Sequence, residues 1–431
     1  MKYLVTYSTA IFFVLFMLMR DAFALEANYY YGYDAIYSDN IRRVSSNKEK
    51  DTIHRLGAGL VLREDGPVFQ SRTTTNIYNN TYQNNTFNDV LSGNLDTQNT
   101  LWISPRQFRW SINDFLDYVP IESTVTTSPN NYQQINLFST GPAVTFRFTA
   151  VDTLELETRY ENYSEEKTNS DSERIYYAAR LGHDFDAISV MTLNYEKREY
   201  NFKVAIINTD YVRNDLFFRY ASRSVTTEYF FELGKTVYDR VNNTSGDGQR
   251  GRIGLNRRIT TNKILSFSYR NELSDVAEEL GTGSGLGTIL INGVPVSNRS
   301  DIFRISAADL VFETSYGKNL FNYRMSYSDL NYEIAPDDQT TKGIAVNYSY
   351  NITSRDRIIA DVGFLNRRFL NINREDDITS VGLTYNHYIT SKVLLNFRIF
   401  RVDQQSTDIN NIIPENILSI GIRYQTEDIP R

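Results

Sequence analysis

The sequence predicts an all-β protein, a closed antiparallel transmembrane β-barrel of about 18–20 strands with short periplasmic turns and longer extracellular loops. Three observations predict it. The chain begins with an export signal, the segments behind it alternate apolar and polar residues with the period of two that a strand requires, and alternately short and long polar connections join these segments. A soluble β-sandwich also alternates in this way, so the prediction depends on the three observations together.

Residues 1–24 have the composition of a cleaved signal peptide. Lys2 supplies the positive start, Ile11–Met19 is an apolar core, and Ala22-Phe23-Ala24 fits a cleavage site. The apolar run is too short for a spanning helix, which needs ~20 residues. We therefore expect a mature chain of residues 25–431 that resides in the periplasm, in the medium or, as a barrel, in the outer membrane.

The composition narrows the classes of protein. The absence of cysteine excludes disulfides, thiol nucleophiles and thiolate metal sites. A net charge of −7 argues against nucleic acid as a partner. The 31 tyrosines and 25 phenylalanines are typical of strands and of the interface between membrane and water.

The first strands are read from short alternating segments. The two tryptophans, Trp102 and Trp110, lie close to the turn at residues 104–106. In a barrel this position would put both at one membrane rim, although ordinary strand packing explains them equally well. The strand candidates are Ala27–Ile36, Ile53–Leu62, Val68–Tyr78, Leu95–Ile103, Gln107–Tyr118 and Ile135–Phe148.

The remaining chain repeats a hairpin that is clearest at Thr153–Tyr195. There Leu154 and Leu156 alternate with Glu155 and Glu157, which gives one apolar and one charged face. The same pattern recurs every 36 or 37 residues, with one interval of 57, but the residues themselves do not recur, which argues against a solenoid or propeller. Tight turns are predicted near Ala150, Ala187, Ser224, Thr261, Lys318, Ser354 and Thr390.

The long interval contains a glycine-rich insertion at residues 280–298. Asn292-Gly293 between two apolar runs predicts a hairpin within it. The insertion either folds over the pore mouth as a constriction or forms a small external hairpin without a gating role.

The polar parity of the strands predicts the lining of the lumen. Mixed acidic and basic walls hydrate a pore and set its selectivity, and they offer hydrogen bonds to sugar hydroxyls. A hydrated interior without a specific ligand is the simpler interpretation for each residue taken alone. The candidate lumen-lining residues are Arg147, Glu155, Glu157, Arg159, Asn194, Glu196, Arg270, Asn396 and Arg398.

No arrangement of residues predicts catalysis. The histidines His54, His183 and His387 fall in different predicted hairpins, and neither a metal-ligand spacing, a phosphate loop nor a nucleophile motif is present. We expect no catalytic residues, no cofactor and no metal, and the protein is not expected to be an enzyme.

Three segments resemble a known family. Tyr-Ser-Asp-Asn-Ile at Tyr37–Ile41, Ser-Pro-Arg-Gln-Phe-Arg-Trp at Ser104–Trp110, and Gln-Gln-Ile-Asn-Leu-Phe-Ser-Thr-Gly-Pro at Gln133–Pro142 resemble the outer-membrane β-barrel porins encoded with exopolysaccharide biosynthesis systems. From the residues alone, Gly141-Pro142 is expected to bend or bulge its strand.

The resemblance implies an outer-membrane channel for export of a secreted exopolysaccharide. Its partners would be outer-membrane lipid, the polysaccharide substrate, and periplasmic and inner-membrane export components. A general or substrate-specific diffusion porin is the first alternative. A structural or adhesive surface barrel, whose long loops contact other molecules, is the second.

Overall fold

The chain folds into one closed β-barrel. In the computed structural model each barrel strand pairs antiparallel with the next strand along the chain, and the last strand pairs with the first. The structure describes residues 25–122, 124–125, 128–168, 170–204, 209–241, 244–281, 290–291, 294–295, 302–335 and 337–426. The predicted signal peptide therefore lies outside the described residues.

Twenty strands form the barrel, within the predicted range of about 18–20. They are β1 (Glu26–Ser38), β2 (Asp51–Asp65), β3 (Phe69–Tyr82), β4 (Val90–Ser104), β5 (Phe108–Pro120), β6 (Tyr132–Arg147), β7 (Asp152–Glu165), β8 (Ser172–Asp184), β9 (Ser189–Phe202), β10 (Tyr211–Arg223), β11 (Thr227–Arg240), β12 (Ser245–Thr260), β13 (Lys263–Ser274), β16 (Phe303–Tyr316), β17 (Asn319–Tyr332), β18 (Gln339–Asn351), β19 (Asp356–Phe369), β20 (Arg374–Tyr388), β21 (Val393–Ser406) and β22 (Ile413–Gln425).

Two shorter strands, β14 (Leu290–Ile291) and β15 (Val294–Pro295), pair with each other inside the predicted insertion. The rest of residues 282–301 lies outside the described residues. A helix at Val276–Gly281 precedes them, and the chain also has 3-10 turns at Pro129–Asn131 and Ile409–Asn411. In the part of the chain that the structure describes, no helix is long and apolar enough to cross a membrane.

Short and long connections alternate around the ring. All seven tight turns predicted from the sequence fall between consecutive strands on one side, where the connections have two to four residues. Hydroxyl side chains recur at these turns. Thr149 bonds Asp152, and Thr353 occupies the same place beside Asp356 five hairpins later. Each hydroxyl satisfies turn groups that no strand partner can reach.

The outer face of the barrel is apolar and exposed. Leu233 and Ile399, both near the middle of their strands, are 64% and 61% exposed, whereas Glu232 beside Leu233 is only 3% exposed. This is the reverse of a soluble protein, because apolar side chains are placed on the outside where lipid tails cover them. The protein is therefore a transmembrane β-barrel of the Gram-negative outer membrane.

The two tryptophans lie on different faces. Trp110 is 37% exposed on the outer face and donates its indole N–H to Thr140. Trp102 pairs in register with Arg109, whose guanidinium stands 6.0 Å from the indole ring and bonds Glu155 on the inner face. Only Trp110 can contribute to a lipid-facing rim.

Gly141 serves a close approach between strands and does not mark a bulge, although the pairing of β6 with β7 is interrupted at Gly141-Pro142. The register of β6 with β7 is the same before and after Gly141-Pro142. A Cβ at Gly141 would lie 2.0 Å from the Thr158 carbonyl oxygen and 2.7 Å from the Arg159 Cα. Both are backbone atoms, so only glycine fits at this position.

Candidate functional site

The inner face of strands β7–β13 is a continuous network of arginines and carboxylates. The sequence produces it by alternation, since residues two apart on a strand share a face. Arg213 and Asp215 on β10, Arg250 and Arg252 on β12, and Arg270 on β13 follow this spacing. Neighbouring strands in register then place opposite charges side by side.

Four of the predicted lumen residues meet around one arginine. Arg180 on β8 donates to Glu155 at 2.7 Å and to Glu157 at 2.6 Å, and its guanidinium is 3.7 Å from Glu196. Arg159 lies 3.4 Å from Glu157. Asn194 pairs in register with Arg180 on the same face. The structure therefore gathers five of the nine predicted residues, Asn194 included, within strands β7–β9.

The other four predicted residues are distributed around the ring. Arg147 lies at the turn-side rim and donates to the Ala150 carbonyl at 2.9 Å. Arg398 faces Asp361 at 3.6 Å, and Asn396 is two residues away on the same side of β21. Arg270 binds Glu279, in the segment that follows β13.

Asp275 turns the chain inward after β13. Its Oδ1 accepts the backbone N–H groups of Ala277 and Glu278 at 2.9 and 3.1 Å, so it caps the helix that follows. The same carboxylate is held by the wall, since Arg174 donates to it at 2.9 Å and the Tyr200 hydroxyl at 2.9 Å. We call Val276–Gly281 the lumen helix.

Glu278 of the lumen helix is held by two arginines of the wall. It accepts from Arg198 and from Arg213, each at 2.6 Å, and its side chain is 7% exposed. Burial alone would raise the pKa of this carboxyl, but the charges of Arg198, Arg213 and Arg252 hold it well below its usual value. Glu278 is therefore ionised across the physiological pH range.

Glu279 is held in a different way. Arg270 grips it with two hydrogen bonds, at 2.9 and 2.7 Å, and Ser274 donates a third at 2.7 Å. Burial raises the pKa of the Glu279 carboxyl above its usual value, although Arg270 and Ser274 oppose this shift. The pKa of Glu278 is thus lowered while the pKa of its neighbour Glu279 is raised.

The apolar side of the lumen helix contacts two nearly opposite walls. Val276 and Ala277 belong to one buried cluster with Ile135 and Leu137 of β6 and with side chains of β16 and β17 such as Leu330. Along the ring, β6 and β17 are separated by eight strands in one direction and ten in the other. The helix therefore crosses the lumen and narrows it at this level.

A second inward contact joins a loop to the far wall. Arg374 at the start of β20 donates to the Thr124 carbonyl, in the connection between β5 and β6, at 2.8 Å. Asp376 accepts from Arg374 at 2.9 Å and from Arg367 at 3.3 Å. This connection thus lies over the mouth of the barrel on the side of the long loops.

A cavity of about 240 Å³ remains beneath the lumen helix. Its lining mixes arginines, glutamates and tyrosines. Tyr176 stands between two guanidinium groups, Arg159 at 4.3 Å and Arg198 at 4.8 Å from the ring centre. The same phenol oxygen accepts from Arg180 at 2.7 Å. The ring thereby keeps two like charges on one wall of the cavity.

The structure keeps the three histidines apart. His183 bonds Asp152 at 2.8 Å and His387 bonds Asp356 at 2.9 Å, each at a turn, while His54 contacts Tyr33 at 2.6 Å. Among the described residues no group of histidine, aspartate and glutamate has the arrangement of a metal site.

The sequence reasoning missed most of the arginines that matter. The missed residues Arg174, Arg198, Arg213, Arg250 and Arg252 lie on the inner face together with the predicted ones. The signal that would have found them is the spacing Arg-x-Asp at 213–215 and Arg-x-Arg at 250–252. The lumen helix begins at Val276, four residues before the predicted insertion, and its capping residue Asp275 opens the helix-capping pattern Asp-Val-Ala-Glu.

The fold and this interior define an outer-membrane β-barrel with a polar, charged inner face, the architecture of outer-membrane channels and transporters. No family model matches the chain, and no curated protein matches it in sequence. Solved structures with a similar fold come from outer-membrane proteins.

A mutant of the ferric enterobactin receptor PfeA from Pseudomonas aeruginosa is 9% identical with a TM-score of 0.49, covering 93% of this chain and 80% of that one. The FrpB iron transporter from Neisseria meningitidis is 9% identical with a TM-score of 0.47, covering 95% and 82%. A loop-deletion mutant of OmpT, an outer membrane protein of Vibrio cholerae, is 10% identical with a TM-score of 0.38, covering 93% and 99%. Likenesses this remote carry no conclusion about a ligand.

Proposed function

We propose that the barrel is an outer-membrane channel through which a secreted exopolysaccharide leaves the cell. The observation that carries the proposal is the inner face of β7–β13, where arginines, carboxylates and tyrosines alternate around a cavity beneath the lumen helix. Charged groups and phenol rings together suit a sugar chain, because hydroxyls need donors and acceptors while the ring faces stack on aromatics.

The lumen helix is the constriction of this channel. Because it contacts nearly opposite walls, a polymer passes only when the helix is displaced. Three carboxylates, those of Glu278, Glu279 and the capping residue Asp275, form ion pairs with arginines of four strands. Displacement of the helix must therefore break buried ion pairs. Such pairs are costly to separate, which keeps the resting channel closed to large solutes.

The resemblance in three segments supports the polysaccharide as cargo. In the structure these segments have structural roles. Asn40 is fully buried and its side-chain amide donates to two backbone carbonyls, those of Val44 and Pro414, near the seam between β1 and β22. Export further requires the signal peptide at residues 1–24, and it implies partners in the periplasm and inner membrane that deliver the polymer.

The test is a deletion strain scored for polysaccharide at the cell surface and in the medium. We expect polymer to accumulate inside the envelope and to fall outside the cell, with recovery when the intact gene is returned. The matched control returns a Glu228→Gln variant, since Glu228 is an exposed acid beside Arg223 at the turn-side end of the barrel. Unchanged surface polymer in the deletion strain would remove the export function.

Liposome swelling separates the alternatives. A diffusion porin admits small neutral sugars at once, whereas the proposed channel, with its helix in place, admits them slowly. A barrel that neither conducts ions nor changes polymer output would instead favour the structural or adhesive role.

A further inference from the structure

We propose that the cavity beneath the lumen helix is a binding site for an acidic sugar, so that the exported polymer carries carboxylates. The inference rests on the proposed function for its biological meaning, but the site itself is argued from the interior alone. Among the described residues, five arginines and three glutamates line the cavity. Arg174 and Arg252 are paired with Asp275 and Glu272 behind the lining, so the other lining arginines decide whether a guest can bind.

The chain already shows that this wall accepts a carboxylate. Glu278 enters the cavity from the lumen helix and accepts 2.6 Å hydrogen bonds from Arg198 and Arg213. Charge-assisted bonds of this length are the strong kind by which arginine recognises carboxylates. A uronate carboxylate presents the same two oxygens in the same plane.

One arginine that lines the cavity has a guanidinium N–H group without a hydrogen-bond acceptor. Arg250 is 6% exposed and lines the cavity, and among the described residues its Nη1 has no hydrogen-bond acceptor. Asp215 stands 3.9 Å from that nitrogen, which is too far for a hydrogen bond. The other guanidinium nitrogens of Arg250 reach Glu232 at 3.3 and 3.4 Å. A buried charged donor without an acceptor is costly, so a guest carboxylate there is favoured.

The remaining lining suits the rest of a sugar ring. Tyr176 and Tyr200 supply aromatic surface on the same side of the cavity. The volume of about 240 Å³ suits one sugar residue of a chain, since it is below the ~300–1,000 Å³ of pockets for drug-sized ligands. The site thus holds a single acidic sugar residue while the lumen helix is docked.

The test is calorimetric titration of the full-length protein in detergent with two matched probes. Trigalacturonic acid carries three carboxylates, and its methyl ester has the same rings without charge. We expect the acid to bind roughly tenfold or more tightly than the ester, with the preference weakening as salt rises. Equal binding of both probes would overturn the proposal, and this comparison needs no variant.

Two substitutions of Arg250 test whether the acid binds at this cavity. Arg250→Gln should remove the preference for the acid, and Arg250→Lys should restore part of it by returning the charge. Arg398→Gln is the matched control, because Arg398 is an inner-face arginine beside Asp361 and not a lining residue of this cavity. Retention of the full preference in Arg250→Gln, or its loss in Arg398→Gln, would overturn the assignment.

The outcome is separable from that of the proposed function. Acid-selective binding together with normal surface polymer in the deletion strain would leave the site standing and remove export. A polymer defect together with equal binding of acid and ester would leave export standing and remove the site.

Discussion

Arg213 of β10 and Glu278 of the lumen helix are 65 residues apart in sequence and meet at 2.6 Å inside the barrel, with both side chains buried. The pair joins the wall to the segment that crosses the lumen. Together with the bonds of Arg198 to Glu278, Arg174 to Asp275 and Arg270 to Glu279, the ion pair holds the helix in place.

Glu278→Gln should release the lumen helix, since it removes the charged acceptor that Arg198 and Arg213 share and leaves Arg213 only with Asp215. Removing one partner of a buried pair costs about 3–5 kcal/mol. The chain has no cysteine, so Ala277→Cys is a clean reporter of docking. We expect a maleimide to label it much faster in the Glu278→Gln background. Equal labelling rates in both backgrounds, with Glu228→Gln as control, would contradict the role given to this pair.

Mild acid should not open the channel. Glu278 has a lowered pKa in the docked helix, so its contribution to docking is complete above its ordinary pKa and is lost only as pH falls through the lowered value. Glu279 has a raised pKa, so the cost of burying its charge disappears as pH falls through that value. Because maleimide reacts with the thiolate, the labelling rate of Ala277→Cys is divided by that of a free cysteine at the same pH, and this ratio should be no higher at pH 5 than at pH 7. It should rise only below about pH 4, where glutamates protonate. Faster labelling at pH 5 would show that Glu278 is not held ionised.

Charge reversal on the inner face should change ion selectivity. Arg159→Glu and Arg398→Glu each place negative charge where a permeating anion now meets a guanidinium. We expect the reversal potential under a salt gradient to move toward cation preference, most strongly at low salt where screening is weakest. Arg355→Glu, at an exposed turn, is the control. An unmoved reversal potential would mean that these side chains do not line the path of the ions.

The apolar belt predicts a large cost for a charge in lipid. Leu233 is 64% exposed in the middle of β11, and Leu233→Arg should destabilise the barrel by about 2–4 kcal/mol. Val225→Arg introduces the same side chain at a turn where Val225 is 92% exposed, and it should be nearly neutral. Urea titrations in lipid vesicles measure both. Equal stabilities would place Leu233 outside the bilayer.

Gly141→Ala should destabilise the barrel through a backbone clash. The added Cβ would lie 2.0 Å from the Thr158 carbonyl oxygen, so β6 and β7 must separate. Overpacking of this kind costs about 1–3 kcal/mol. Gly251→Ala, which has open space around the added atom, is the control. The melting temperature in detergent distinguishes them, and identical values would show that the two strands separate freely.

Much of the fold was predictable because it is local. The alternation at Leu154–Arg159 fixes which face meets lipid, and polar turn residues such as Ser224 and Thr390 fix the hairpin ends. These features need no knowledge of distant residues. The strand number followed from counting them, and closure of the ring followed from the predicted class of protein.

The interior was less predictable because it depends on contacts between distant strands. Arg174 and Asp275 are 101 residues apart, and nothing local indicates that they meet. The lumen helix is too short to show a helical period, so the sequence pattern does not predict it. The recurrent hydroxyl at the turns, as at Thr149 and Thr353, was missed because the flanking residues differ from one turn to the next.

A ring of twenty strands is a thin shell whose weakest deformation is flattening into an oval. Val276 and Ala277 lie between nearly facing parts of that shell in one apolar cluster with β6 and β17. The adjacent Asp275 is bound to Arg174 of the wall. The protein is thereby braced against lateral squeezing by the surrounding bilayer. Displacement of the lumen helix would make the whole barrel more deformable at the same moment that it opens the channel.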